Sequence, residues 1–437
     1  MVNNNYKMKT REKISVITLG CSKNTVDSER LLRQLQANNL DLRLNPSEAD
    51  TVIINTCGFI EAAKEETINT ILSAVSNKNS GLTKRIFVAG CMSQRYKNEL
   101  QKEIPEVDLY FGTEDYERIL NELGGELKKN LLGERLLSTP SHTAYLKISE
   151  GCDHPCSFCA IPIMRGLHRS KSIEELVEET TYLAKNNTKE LVLIAQDTTD
   201  YGKDLYFKRN ISQLISRLSE VNGIEWIRLM YAYPSRFPDD LIDEIKNNEK
   251  VCNYIDIPLQ HISDSILKSM RRGITGNQTR KLLTRLREKI PDLVLRTTFI
   301  VGYPGETEKE FRELCNFVEE FKFEKIGTFT YSMEENTESY NLGDTVPKEI
   351  KIERQNRLME IQREISSEKN REMVGKELKV LVEALEGDFY IGRTYRDVPE
   401  VDGEVLISAD NGRIFLGNFY NALVYDSNEY DLFAKLK

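Results

Sequence analysis

Cys152, Cys156 and Cys159 stand in the run Glu-Gly-Cys-Asp-His-Pro-Cys-Ser-Phe-Cys-Ala-Ile-Pro, a C-x3-C-x2-C spacing. Three thiolates on one tight loop can hold three irons of a 4Fe-4S cluster, which normally takes four cysteines. With three local ligands the fourth iron stays open, as in a catalytic metal site rather than a sealed one. An open iron can chelate a small molecule through an amine and a carboxylate. A zinc knuckle completed by His154 or by a distant residue is the alternative.

A second set lies earlier in the chain, as Gly20-Cys21, Thr56-Cys57 and Gly90-Cys91. Each pair follows an apolar, strand-like run. Three thiolates again fit a 4Fe-4S cluster with one open iron, and a soft open iron can hold sulfur. The alternative is three small apolar residues packed at sheet ends. Cys252, at a strand start, and Cys315, inside a helical pattern, read as core.

Further polar residues sit just past apolar runs. Gln196 and Asp197 occur in Ile-Ala-Gln-Asp-Thr-Thr-Asp-Tyr-Gly, and Gly302 and Glu306 in Phe-Ile-Val-Gly-Tyr-Pro-Gly-Glu. Glycine allows close backbone approach to a ligand, and Glu306 can accept a bond from an amine or a ribose. Turn chemistry and a helix N-terminal carboxylate explain the same residues without a ligand. His261 reads as a polar orienter with no catalytic role. Arg165 and Arg169, just after the cysteine loop, can steer carboxylates, though surface arginines are common.

The elements that must position these residues are α/β in character. Strands are expected at 14–19, 51–55, 85–89 and 107–111, with helices at 27–38, 62–76, 94–101 and 116–122. This is a βαβ rhythm, so a parallel sheet covered by helices. Ligands gather outside the carboxyl ends of such strands, so Cys21, Cys57 and Cys91 should converge on one edge. After a Ser-Thr-Pro-Ser stretch at 138–141 come six more strands, at 144–149, 190–195, 226–230, 254–257, 293–301 and 326–331. Helices are expected between and after them at 173–185, 212–220, 238–247, 278–289, 308–321 and 348–371. Six βα units make a partial barrel, with the cysteine loop on the face where barrel active sites are built. From 374 onward short alternating strands at 379–384, 390–394, 404–407, 421–425 and 431–434 read as a small antiparallel β-barrel. The domains are therefore 1–137, 142–372 and 374–437.

The chain has 437 residues, 40% hydrophobic and 30% charged, with a net charge of −9. That length can bury sizeable cores in roughly two or three domains. No apolar run is long enough to span a bilayer, and the start is polar with no signal-peptide core. Eight cysteines without a secretory signal favour metal or redox chemistry over disulfides. A cytoplasmic protein with no membrane contact is expected. The acidic balance disfavours strong non-specific attraction to nucleic acid, although a local basic patch can hide in an acidic total.

Nearly the whole chain resembles the methylthiotransferases of the radical S-adenosylmethionine (SAM) class. The resemblance rests on the two cysteine sets, the six-unit barrel and the β-barrel tail, which is of the TRAM type in that family. Two branches are known. One modifies isopentenyl-adenosine in transfer RNA, the other an aspartate of the twelfth small-subunit ribosomal protein. The run Leu19-Gly20-Cys21-Ser22-Lys23-Asn24-Thr25-Val26-Asp27-Ser28-Glu29 is similar to the ribosomal-protein branch; the other usually reads Tyr-Gly-Cys-Gln-Met-Asn. Ala195-Gln196-Asp197-Thr198 points the same way, where the other branch tends to carry Gly-Gln-Asn.

The resemblance implies two 4Fe-4S clusters and SAM, used both as radical source and as methyl donor. Cys152, Cys156 and Cys159 would serve SAM cleavage, with Gln196, Asp197, Gly302 and Glu306 as SAM contacts. Cys21, Cys57 and Cys91 would hold the second cluster and its sulfur. The radical would remove a hydrogen from the aspartate β-carbon, an unactivated position that acid–base chemistry does not reach. A one-electron reductant such as flavodoxin or ferredoxin is implied as a partner, with the ribosomal protein as substrate.

The tail offers a separate physical discriminator. Residues 375–437 carry twelve Asp and Glu against seven Lys and Arg, a balance of −5. RNA-binding barrels normally carry a basic face. An acidic one should repel RNA and attract a basic ribosomal protein, with Asp397, Glu400, Asp402 and Glu404 as the expected contact. Solvated surface is the plainer explanation of the same charge. The competing functions are the transfer-RNA methylthiotransferase and a non-enzymatic iron–sulfur electron carrier on the ribosome.

Overall fold

The computed structural model describes residues 12–411 and 414–437. The polar start at 1–11 lies outside them. The chain divides into two compact units. Of the described residues, one contains those up to Ser138 together with Ile163–Arg165; the other contains Thr139–Pro162 and those from Gly166 onward.

The N-terminal unit is a five-stranded parallel sheet. Its strands are β1 (Lys13–Thr18), β2 (Asp41–Leu42), β3 (Thr51–Thr56), β4 (Arg85–Gly90) and β5 (Leu109–Tyr110), in the order β2-β1-β3-β4-β5. The helices are α1 (Ser22–Ala37), α2 (Glu61–Asn79), α3 (Cys91–Glu103) and α4 (Tyr116–Glu122). Side chains along β3 alternate between two cores. Val52 and Ile54 pack with Ile71, Ile86 and Val88 on one face. Ile53 packs with Ile14, Leu31, Leu35 and Phe87 on the other. A parallel sheet buried on both faces needs this continuous apolar run.

Two helices begin earlier than the apolar periodicity predicts. α1 starts at Ser22 rather than 27, and α3 at Cys91 rather than 94. β4 runs straight into α3 at Cys91, and three residues, Leu19, Gly20 and the N-cap Cys21, join β1 to α1. The first turns are too polar for an apolar period to register. The two-residue edge strand β2 also carries too few residues to show an alternation.

The second unit holds a six-stranded, all-parallel sheet. Its strands are β6 (Thr143–Lys147), β9 (Glu190–Ile194), β10 (Trp226–Leu229), β11 (Val251–Asp256), β12 (Val294–Val301) and β13 (Lys325–Thr330). Their order is β13-β12-β11-β10-β9-β6. A two-stranded ribbon, β7 (Ser149–Glu150) with β8 (Arg169–Ser170), brackets the cysteine loop. α5 (Ile161–Arg165) starts in this unit and its last three residues belong to the N-terminal one; the helices after it are α6 (Ile173–Lys185), α7 (Ile211–Ser219), α8 (Asp239–Asn247), α9 (Asp264–Ser269), α10 (Gly276–Lys289), α11 (Glu308–Phe321) and α12 (Lys348–Arg371). Capping boxes start three of them, at Ser172/Glu175, Thr275/Gln278 and Thr307/Glu310. Each satisfies two of the amide donors that a helix start leaves free. α5 and α9 are short and escape the periodicity. Among the described residues no helix is long and apolar enough to cross a membrane.

The tail is a closed five-stranded barrel, β14 (Glu377–Glu386), β15 (Phe389–Arg393), β16 (Val405–Ser408), β17 (Asn418–Ser427) and β18 (Leu432–Leu436). It closes around Val380, Val382, Val405, Ile407, Ala422, Val424 and Ala434.

This barrel sits against the amino ends of the parallel strands, the face on which barrels place stability rather than chemistry. A buried charge network joins the two. Glu190, the first residue of β9, accepts bonds from Arg228 at 2.8 Å and Arg393 at 2.6 Å. Arg393 also reaches Glu383, which meets His142 at 3.0 Å. Arg228 donates to the carbonyls of Thr394 and Tyr395. The rings of Trp226 and Phe419 meet in a T-shaped contact, 4.6 Å between centroids.

The expected acidic docking patch is corrected here. Asp397 is buried and paired with Lys325 at 3.0 Å. Asp402 accepts from Tyr254 Oη at 2.7 Å, with Arg296 at 3.7 Å. Two of the four carboxylates therefore hold the tail to the larger sheet. Glu400 and Glu404 remain exposed.

The network makes a pH prediction. Burial alone pushes the Glu383 carboxyl up, but hydrogen bonds from His142 and Arg393, with the Arg393 charge, outweigh it and hold it at about 2. A depressed carboxyl stabilises the fold above its ordinary range and loses that contribution as pH falls. The shift corresponds to at most about 3 kcal/mol. In urea unfolding, Glu383→Gln should cost up to about that much near pH 7. The gap to the parent should close as pH falls from about 5 towards 2. A gap unchanged down to pH about 3 would sink the assignment.

Candidate functional site

In the N-terminal unit three parallel strands leave the sheet side by side, and a cysteine follows each. β1 pairs with β3, and β3 with β4; Thr56 lies opposite Gly90, so Cys57 and Cys91 leave in register. Glycines let these exits close up. A Cβ on Gly20, whose φ is +90°, would stand 2.6 Å from Cys57 Cβ. One on Gly90, at φ +96°, would strike the Thr56 backbone at 2.7 Å. The three thiols are free and drawn to one edge.

Two of these cysteines open helices. Cys21 is the N-cap of α1, and Cys91 the first residue of α3. Free amide N–H groups and the helix dipole favour a thiolate there. Arg165, buried, adds a cation: it donates to Asn24 at 2.6 Å and to Asp27 at 3.1 Å. Burial works against ionisation of Cys21, yet Lys23, Arg165 and the Lys23 and Asn24 amides hold its thiol below the ordinary value. Burial wins at Cys57, whose thiol is raised, and at Cys91, pushed up to about 11.

In the second unit the cysteine loop leaves the carboxyl end of β6. Gly151, at φ +72°, closes it: a Cβ there would meet Leu167 O at 2.0 Å. Cys152 N donates to Gly166 O, and Cys159 N to Cys156 O. Ser157 pins the loop through Ser269 O at 2.8 Å and Tyr303 Oη at 2.9 Å. Cys156 Sγ faces Arg272 Nη1 at 3.2 Å and Tyr233 Oη at 3.7 Å. Burial pushes both Cys152 and Cys159 up to about 12.

His154 Nε2 meets Asp197 Oδ2 at 2.6 Å, and its ring stacks on Tyr233 at 3.7 Å. Asp197 also accepts from Thr199 N and Oγ1. Asp200, nearby, is already balanced by Arg209 at 2.7 Å and Lys203 at 3.3 Å.

The remaining expected ligand contacts fall unevenly. Gln196 stands half-buried at the carboxyl end of β9. Gly302, at φ +73°, makes room for Lys351, whose Cγ would lie 2.3 Å from an added Cβ. Glu306 is buried and held by Arg354 at 2.8 Å and Gly302 N at 3.0 Å. It frames the strand exit rather than presenting a free carboxylate. His261 Nδ1 accepts from Ser263 N. Cys252 and Cys315 are core, also as expected. Arg169 is exposed. Arg272, Tyr233 and the His154–Asp197 pair were not legible in the sequence; no spacing links partners 116, 77 and 43 residues apart.

Three free thiols per set, with a buried arginine beside each, suit an anionic thiolate-ligated cluster. Fold and site together define a radical SAM protein. The model of the Radical SAM superfamily matches residues 146–318. That of the uncharacterized protein family UPF0004 matches 13–112, and that of the TRAM domain 374–436. Among solved structures, the radical SAM methyltransferase TsrM from Kitasatospora setae is similar at a TM-score of 0.54 and 13% identity, covering 86% of this chain and 79% of its own. The cobalamin-dependent SAM radical enzyme OxsB gives 0.51 at 14% identity, covering 79% and 56%. These likenesses show the fold.

Curated relatives are far more similar. The ribosomal protein uS12 methylthiotransferase RimO of Christiangramia forsetii is 53% identical over 97% of this chain and 94% of its own. That of Cytophaga hutchinsonii is 51% identical over 98% of each. The chain belongs to the RimO family of ribosomal protein uS12 methylthiotransferases.

The thiol environments predict an order of reactivity in metal-free protein. The thiolate is the nucleophile. Cys21, with a lowered pKa, should be alkylated by iodoacetamide at neutral pH well before Cys152 and Cys159. Peptide mass spectrometry over a time course reads the order. Equal rates at all three would refute these environments.

Proposed function

We propose that this chain inserts a methylthio group at the β-carbon of an aspartate in ribosomal protein uS12. The observation that carries this reading is the pair of separate cysteine triads at strand carboxyl ends, in a chain matching uS12 methylthiotransferases along nearly its whole length. Cys152, Cys156 and Cys159 hold one 4Fe-4S cluster with an open iron for SAM. Cys21, Cys57 and Cys91 hold a second that carries sulfur. Bound, these groups supply one-electron cleavage of SAM, hydrogen removal from an unactivated carbon and a soft site for sulfur, with a second SAM as methyl donor.

The protein's residues set the frame. Ser157 and the Gly151 turn hold the first loop in shape. Gln196, at a strand exit, is the SAM contact that keeps a free side chain in this reading. Asp197 acts through His154. Gly302 and Glu306 act by holding Lys351 and Arg354. The working domains are 1–137, 142–372 and 374–437. The setting is cytoplasmic, with a one-electron reductant such as flavodoxin or ferredoxin. The tail's −5 balance favours a basic protein over RNA and acts on encounter.

Mass analysis of uS12 and of transfer RNA from cells with and without the protein tests the substrate. Gain of one CH2S unit on a uS12 aspartate is expected. Its appearance on transfer RNA instead would move the assignment to the other branch. The cluster assignment has its own test. The parent should hold about eight irons, from two four-iron clusters. Cys152, Cys156 and Cys159→Ala together should halve the iron and abolish 5'-deoxyadenosine formation. Cys21, Cys57 and Cys91→Ala should also halve the iron but leave some 5'-deoxyadenosine. Full iron in the second variant would remove the second cluster from the reading.

A further inference from the structure

Arg272 is a buried cation with no carboxylate to answer it. It is 5% exposed, on the turn that follows α9. Arg271, at φ +55°, and Gly273, at φ +67°, bend the chain on either side of it. Its Nη2 donates to Pro258 O at 2.6 Å. Its guanidinium lies 4.3 Å from the centre of the Tyr233 ring, and Tyr233 Oη donates back to Arg272 O at 2.9 Å. Its Nε has no hydrogen-bond partner. Its remaining contact is Nη1 to Cys156 Sγ at 3.2 Å. No acidic side chain among the described residues lies within ion-pair distance of it.

Arginine keeps its proton in proteins, so this charge is permanent. A buried charge left without an opposite partner is strongly unfavourable. The anion on offer is sulfur. Cys156 as a thiolate supplies one negative charge, and three thiolates around a 4Fe-4S core leave a net negative assembly. One-electron reduction makes that assembly more negative still. A cation donating an N–H···S bond stabilises the reduced form more than the oxidised one, so it raises the reduction potential.

We infer that Arg272 is the counter-charge of the cluster on Cys152, Cys156 and Cys159, and that through Cys156 it sets that cluster's reduction potential high enough for its electron donor. Arg272 is a positioning and tuning residue, acting through a ligand. Tyr233 fixes it from two sides, stacking on the guanidinium and bonding its carbonyl. The inference rests on the cluster reading above.

The experiment uses the full chain with Cys21, Cys57 and Cys91→Ala, so that one cluster titrates. Anaerobic reconstitution with iron and sulfide, iron analysis and an electron paramagnetic resonance titration against dithionite are the readouts. A control adding Cys156→Ala should lose the iron; if it does not, the cluster reading itself fails. Arg272→Gln, which keeps a donor but no charge, should shift the midpoint to lower potential. Arg272→Lys, which keeps the charge, should shift it less. Loss of iron from the Gln variant alone also supports a counter-charge. The inference is overturned if Arg272→Gln keeps its iron and the parental midpoint, or if the Lys variant falls as low as the Gln variant. Loss of iron from both variants overturns it too, because shape rather than charge then decides.

Discussion

Thiolates that share one inorganic core must reach it from separate points of the chain, and each carries a charge that burial resists. Parallel strands solve the geometric half. Their carboxyl ends all leave the same edge of a sheet, so a residue placed just past each strand joins residues from its neighbours. Cys21, Cys57 and Cys91 use three such exits. Cys152, Cys156 and Cys159 use a single exit and a loop tightened by Gly151. Glycine earns its place in both because a side chain there would occupy backbone already present.

The electrostatic half is met differently at each set. Around Cys21 the cations and helix-start amides prevail over burial. Around Cys152 and Cys159 burial prevails and favours the protonated thiols. Metal binding to such thiols releases protons and couples to pH. Each set nonetheless has a buried arginine close to its sulfur atoms, Arg165 for one and Arg272 for the other. Arg165 is also answered by Asp27, whereas Arg272 has no carboxylate within ion-pair distance among the described residues, a cost that a thiolate-ligated core would offset.

The element order was legible because the strands are long apolar runs and the helices are amphipathic. α6, α11 and α12 fall at the residues the periodicity predicts. The cysteine triads were legible because a residue type with strong chemistry recurs at strand exits. The starts of α1 and α3 were not, since their first turns are polar. Nor were Arg272 and Tyr233, whose partners lie far along the chain. The charge count of the tail misled for a plain reason. It weighs Asp397 and Asp402 as surface, although both face inward to Lys325, Tyr254 and Arg296. Composition counts charges but does not say which of them meet water.

That correction changes what the tail can do. Arg228, Glu190, Arg393 and Glu383 alternate in sign, and detaching the small barrel would strip Arg393 from Glu190 and the Thr394 and Tyr395 carbonyls from Arg228. Buried ionic networks are weak evidence of stability, but the bonds of this one fix where the tail meets the sheet. The tail is therefore held at the amino ends of the strands, while the cysteine loop leaves from their carboxyl ends. The five residues of β6 separate those two faces by roughly 17 Å at about 3.3 Å per residue. The Debye length at physiological salt is about 8 Å. Over that distance the exposed acids of the tail exert little force on a substrate already at the loop. A pull of theirs on a basic partner would act on its approach, and the placing of its reactive carbon would fall to residues at the strand exits.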